Sequence, residues 1–208
     1  MLQVGDRVKD FALEAGDGGR VELSALRGRK VVVYFYPRDD TPGCTREACG
    51  FRDQHPDFGA AGALVLGISG DGVASHRKFA DKYELPFRLL SDPDHRVAEA
   101  FGAWGERSLY GRRFMGIIRS TFLLDEEGRV MRVWPKVQVD GHAQEVLAAI
   151  RGEAPPASAA RKKSAAAKKK TKPAAAKKKT KPAAAKKKKK PAAARKKTTN
   201  KKPGAKRR

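Results

Sequence analysis

Cysteine is nearly absent from this chain of 208 residues: there are two, Cys44 and Cys49, five positions apart. In a cytoplasm-type chain two thiols are rarely a structural bridge, because that compartment reduces such bridges. They are then either inert buried residues or chemically active ones. Long apolar runs are missing as well, and no stretch approaches the length needed to span a bilayer. The opening MLQVGDRVKD has no basic region followed by an apolar run. No secretory signal is therefore expected, and the expected location is cytoplasmic. The third absence is local. From Ala154 to Arg208 there are 24 Lys plus Arg, but no Asp, no Glu, no aromatic residue and no aliphatic larger than alanine. Such a segment cannot build a core. It also makes the formal net charge of +23 misleading. Subtracting the tail's 24 from the chain's 46 basic residues leaves 22, against 23 acidic residues in 1–153, a net of −1.

What is present divides accordingly into a domain, 1–152, and a basic tail, 153–208. Roughly 150 residues suffice for one domain with a proper core. VVVYFYP (31–37) reads as a buried strand ending in proline, and the segment from Cys44 to about Phe58 as a helix carrying both thiols. ALVLGIS (63–69) is a second buried strand, followed by a helical face in VASHRKFADKYEL. The stretch 86–115 is an insertion, with a helix expected in SDPDHRVAEAFG after a Ser/Asp cap. GIIRSTFLLD and RVMRVW, separated by EEG, give a hairpin, with the Glu126-Glu127 pair beside Gly128 as turn chemistry. GHAQEVLAAI closes the domain as an amphipathic helix. The order β-α-β-α, insertion, β-β-α implies an α/β fold, a mixed sheet with helices on both faces. It matches the thioredoxin-like fold.

The first thiol therefore stands just past the end of a strand, where a helix begins. A thiol attacks only as thiolate, and little thiolate exists at neutral pH for a free cysteine. The first turn of a helix supplies unpaired N–H groups and the positive end of the dipole, both of which favour the anion. A guanidinium would favour it further. Arg119 is the candidate, since the GIIRSTFLLD strand can run beside the strand that delivers Cys44.

Pro37, Thr41 and Cys44 stand in a P-x-x-x-T-x-x-C spacing that resembles the peroxiredoxin active site. The fuller string YFYPRDDTPGCTREACGFRD resembles the bacterioferritin-comigratory, or Q-type, branch, and the likeness runs on through LGIS, LLSDPDHRVAEAFGAWGE and IIRSTFLLD, over about residues 3–150. The resemblance implies a thiol peroxidase that reduces hydrogen peroxide and organic hydroperoxides. In it Cys44 would be the peroxidatic cysteine, Thr41 and Arg119 would position the peroxide oxygens, and Pro37 would shield the thiolate from water. Cys49 would be the resolving cysteine, forming a disulfide that thioredoxin reduces. No cofactor and no metal are implied, and a monomer is expected. Residues five apart on an intact helix lie about 8–9 Å apart between Cα atoms. A disulfide needs less than about 7 Å, so the bridge requires local unwinding, at which Gly50 would help.

Other readings remain. Two cysteines on one helix could be small core residues. A dithiol exchanger shares the fold but usually needs C-x-x-C, which is absent. His55, His76, His95 and His142 show no metal-ligand spacing and read as surface or helix residues. The tail carries the repeats KKKTKPAAA (168–176 and 177–185) and KKKKKPAAA (186–194). Prolines interrupt each repeat and adjacent lysines repel, so disorder is expected. It resembles the Lys-Ala-Pro tails of linker-histone-like proteins, which implies DNA as partner and nucleoid association, without base-specific readout; RNA, polyphosphate or an anionic membrane would satisfy the same charge. The alternative function is then a nucleic-acid-compacting protein whose folded domain is only a scaffold.

Overall fold

The computed structural model describes residues 1–109 and 112–153, so the basic tail and its expected disorder lie outside the described residues. A seven-stranded sheet has the order β2-β1-β5-β4-β3-β8-β9. Its strands are β1 (Ala12–Ala15), β2 (Arg20–Glu22), β3 (Lys30–Phe35), β4 (Ala63–Ser69), β5 (Arg88–Ser91), β8 (Ser120–Leu124) and β9 (Val130–Trp134). A separate two-stranded ribbon pairs β6 (Trp104–Leu109) with β7 (Arg112–Ile117). The helices are α1 (Pro42–Asp53), α2 (His55–Ala60), α3 (Val73–Tyr83), α4 (Arg96–Phe101) and α5 (His142–Arg151). None of these is long and apolar enough to cross a membrane.

After Lys30, β3 is apolar from Val31 to Phe35 because both of its faces are buried. Val31, Val33 and Phe35 enter one core with Ile68, Leu90, Phe101 and Phe122. Val32 and Tyr34 enter the other with Ala48, Phe51, Phe58, Phe79 and Val146. Thus α1, α2, α3 and α5 cover one face and α4 the other, as the thioredoxin-like reading requires. β3, β4 and β5 are parallel, whereas β8 runs antiparallel to β3 with Phe35 opposite Ser120. This register puts the start of β8 beside the end of β3.

The expected β8–β9 hairpin is present. Asp125 Oδ1 accepts the amides of Glu127 (2.9 Å) and Arg129 (2.7 Å), and Gly128 takes a φ of 77°, which glycine adopts without strain. Three expectations need correction. The helix expected through Phe58 breaks at Gln54, because Pro56 has no N–H and its ring would clash with the Arg52 carbonyl; that carbonyl instead accepts the Gln54 amide. GIIRSTFLLD is not one strand. Ile118 and Arg119 separate β7 from β8, with the Ile118 amide turned to the Ala103 carbonyl (2.7 Å) and the Arg119 carbonyl to the Val137 amide (3.2 Å). The insertion 86–115 holds β5, which sits inside the sheet between β4 and β1, as well as α4 and most of the ribbon. The expected cap on α4 comes from Asp92, whose carboxylate accepts the amides of Val97 (3.3 Å) and Ala98 (2.8 Å).

Candidate active site

Ligand sites in such sheets form beyond the carboxyl ends of the parallel strands. β3 ends there and α1 begins. Thr41 is the N-cap residue in an extended conformation, and Pro42 opens the helix with its φ preset and no amide to satisfy. The first intrahelical bond is Thr45 N to Thr41 O (2.8 Å), so the amides of Gly43 and Cys44 precede the ladder. Cys44 is 1% exposed, and Cys49 is half-buried further along the same helix; both are free thiols.

The Phe35–Ser120 register delivers Arg119 to this turn. Its Nη2 donates to Cys44 Sγ at 3.1 Å. It also lies 3.4 Å from where a Cβ on Gly43 would stand, so a side chain there would crowd the guanidinium. Its other arm, Nη1, pairs with Glu47 Oε2. Burial alone would lower the Arg119 pKa, but Glu47 and Cys44 outweigh that and hold it above its ordinary value. Glu47 has no exposed side-chain surface, and burial raises its carboxyl to about 7 against the opposing pull of Arg119. Its Oε1 has no partner among the described residues. Beneath it Tyr34 is fully buried; burial first, then the nearby Glu47 and Cys44, hold its phenol well above the usual range, so it stays protonated.

The structure thus brings Cys44 and Arg119 into contact. Pro37 lies in the loop between β3 and α1, and Thr41 ends that loop as the N-cap of α1. The Thr41 hydroxyl donates to the Arg38 carbonyl (3.1 Å), which leaves its oxygen to accept rather than to donate. Cys49 stands apart from this contact. Sequence reasoning missed Glu47, although Cys44, Glu47, Ala48 and Phe51 form one buried stripe at helical spacing, and a carboxylate on such a stripe is a signal. The sequence places the histidines on the surface or on helices. His76 and His142 do lie on helices but are 0% and 2% exposed. Burial, then the charge of Arg119, lowers His142 to about 3, leaving a neutral ring whose Nε2 meets Thr121 Oγ1 at 2.8 Å.

A buried thiol held against a guanidinium, at the start of the helix after the central strand of a thioredoxin-like sheet, defines a thiol-based oxidoreductase. Comparison narrows the class. The model of the AhpC/TSA family matches residues 4–133. The putative peroxiredoxin bcp of Coxiella burnetii is 51% identical over 146 residues, 70% of this chain and 97% of that one. The peroxiredoxin Bcp of Bacillus subtilis is 45% identical over 150 residues, 72% of this chain and 96% of that one. Among solved structures, the bacterioferritin comigratory protein of Xanthomonas campestris, described with its alkyl peroxide reduction activity, matches with a TM-score of 0.66 at 44% identity. That match covers 68% of this chain and 90% of the other. A cysteine-to-serine variant of PrxQ from Xylella fastidiosa gives 0.70 at 35%, covering 73% and 97%. The chain belongs to the AhpC/TSA family, on its Bcp-type peroxiredoxin branch, and is a peroxidase of the oxidoreductase class.

Proposed function

We propose that the chain reduces hydrogen peroxide and organic hydroperoxides with Cys44 as the attacking thiol and Cys49 as the resolving one. The observation that carries this reading is the 3.1 Å contact between Arg119 Nη2 and Cys44 Sγ in the first turn of α1. The Cys44 thiolate attacks one peroxide oxygen, and the O–O bond breaks as the S–O bond forms. Sulfur gives up two electrons to become a sulfenic acid, while the second oxygen leaves as hydroxide or alkoxide and takes a proton. Charge grows on that leaving oxygen. The Arg119 guanidinium and the amides at the start of α1 are fixed donors that stabilise it more in the transition state than before. Thr41, with its proton committed to Arg38, accepts from the peroxide hydroxyl. Pro37 shields the thiolate from water.

Cys49 then attacks the Cys44 sulfur, the sulfenic oxygen leaves as water, and a disulfide forms. A dithiol protein of the thioredoxin type returns two electrons by thiol–disulfide exchange. The cycle needs no metal and no cofactor, and the chain acts as a monomer. The 24 positive charges of residues 154–208 bind DNA through its phosphates and hold the peroxidase beside the nucleoid in the cytoplasm, so that oxidant is removed before it reacts there. A domain serving only as a scaffold for compaction would have no use for a thiol paired with a guanidinium. Single-turnover stopped-flow oxidation tests the thiol assignments. Cys44→Ser should abolish peroxide consumption and Cys49→Ser should leave the first oxidation intact; equal loss in both at that step would overturn the assignment.

A further inference from the structure

The loop between β3 and α1 carries Pro37 and Thr41, yet the side chains that anchor it reach to other elements. Asp39, a residue of this loop, is buried. The Asp39 carboxylate accepts hydrogen bonds from the Tyr36 hydroxyl (2.7 Å), Ser75 Oγ (2.7 Å) and His76 Nδ1 (2.9 Å). An ionised carboxylate only accepts, so the network places the imidazole proton on Nδ1. His76 is enclosed: a Cβ on Gly16 would stand 2.9 Å from His76 Cβ, and Nε2 has no partner among the described residues. The Asp39 amide donates to Asp71 Oδ2 (2.8 Å), which also receives Ser69 Oγ (2.8 Å) at the end of β4. The Asp71 carbonyl accepts Ser91 Oγ (2.7 Å) at the end of β5. The next loop residue, Asp40, holds a φ of 51° and receives Lys82 Nζ (2.7 Å) and Tyr83 Oη (2.6 Å) from α3.

Two consecutive aspartates therefore staple the loop to α3, one inside the protein and one outside. Burying a carboxylate with an imidazole is costly relative to an apolar pair of the same volume. Three converging donors make the inner staple specific in direction as well as distance. We propose that Asp39 and His76 are positioning residues for the peroxide-binding loop: Asp39 within the loop, held by His76 on α3, fixes Pro37 and Thr41 within reach of Cys44, independently of the helix that carries the thiol. This rests on the roles given above to Pro37 and Thr41. It explains how the loop can keep its shape while α1 unwinds to let Cys49 reach Cys44.

The test compares two reactions of one thiol in a Cys49→Ser background: oxidation of Cys44 by hydrogen peroxide, and its alkylation by iodoacetamide across pH. Alkylation reports the thiolate but needs no peroxide-binding loop. His76→Leu should lower the peroxide rate constant by about tenfold or more, the scale of a reactant held slightly out of place, and leave the alkylation pH profile unmoved. His76→Asn, whose amide nitrogen can stand where Nδ1 stood, should recover most of the loss. Ser75→Ala removes one donor and keeps the rest of the cluster; it should show a smaller fall in the same direction, and it decides the question if His76→Leu does not fold. A folded His76→Leu protein with an unchanged peroxide rate overturns the proposal, as does a parallel fall in oxidation and alkylation, or an unaffected Ser75→Ala where His76→Leu is unfolded. Failure of the underlying reading would look different: the parent itself would not be oxidised at Cys44.

Discussion

Replacing Glu47 by glutamine keeps the side chain's shape and an acceptor for Arg119, but removes a carboxyl that burial has raised from 4.5 to about 7. The group has no exposed side-chain surface, so solvent does little to dilute the effect. A carboxyl whose folded value lies above its unfolded value binds more protons in the folded state. Its unfavourable contribution is absent below the unfolded value, grows as pH rises, and is complete above the folded one. With 4.5 for the unfolded chain and about 7 for the folded one, the stability lost between pH 5 and pH 8 is on the order of 2–3 kcal/mol. Denaturant unfolding of the parent and of Glu47→Gln at both pH values measures it. Both proteins should carry Cys44→Ser, so that no thiol titrates beside Arg119. Groups shifted the other way, such as Asp39, whose three donors outweigh its burial, cancel when the two proteins are compared at each pH. The glutamine protein should gain on the order of 2–3 kcal/mol on its parent between pH 5 and pH 8. A flat difference would mean that Glu47 ionises like an exposed carboxylate. A reversed one would mean that the ion pair with Arg119 prevails over burial.

Two further outcomes follow from the thiol spacing and from the tail. Oxidation that joins Cys44 to Cys49 should lower amide hydrogen-exchange protection over α1 and leave α3 protected; unchanged protection in α1 beside a confirmed bridge would refute the unwinding argument. Full-length protein should bind duplex DNA without sequence preference and residues 1–153 should not. If about ten of the tail's charges meet phosphates, log K should fall against log salt with a slope near −9. Equal binding by both proteins, or a flat salt response, would sink the tether. Turnover of hydrogen peroxide should be the same in both, because a neutral substrate is not steered by positive charge.

The elements that sequence made legible are those whose pattern and burial agree. β3 and β4 are apolar runs buried on both faces, α3 and α5 carry apolar stripes, and the β8–β9 turn has an aspartate and a glycine where its geometry needs them. β1, β2 and β5 have only four, three and four residues, too few for alternation to emerge. They are held by their neighbours in the sheet, and a single chain segment does not display its neighbours. The ribbon was hidden differently. WGERSL and RRFMGI mix charges with apolar residues because β6 and β7 pair with each other outside the main sheet, and Phe114 and Met115 remain exposed.

At the site, the Cys44–Arg119 contact could be anticipated because each partner has a distinctive chemistry: a thiol at a helix start and an arginine among apolar neighbours. Glu47, Asp39 and His76 escaped because their importance lies in what faces them. The partner of Glu47 is 72 residues away and that of His76 is 37, and both contacts exist only once β3, β8 and α3 are assembled. Burial then changes what Glu47 means for the thiols. It lies between Cys44 and Cys49 on α1, in the turns that must open before the two sulfurs can meet. Opening those turns returns the carboxylate to water and relieves the burial that raised it. The relief is small at pH 5, where the buried group is protonated, and nearly full at pH 8, where it must be ionised without adequate solvation. The α1 helix should therefore open to let Cys44 and Cys49 meet more readily as pH rises through about 7, and Glu47→Gln should remove that dependence.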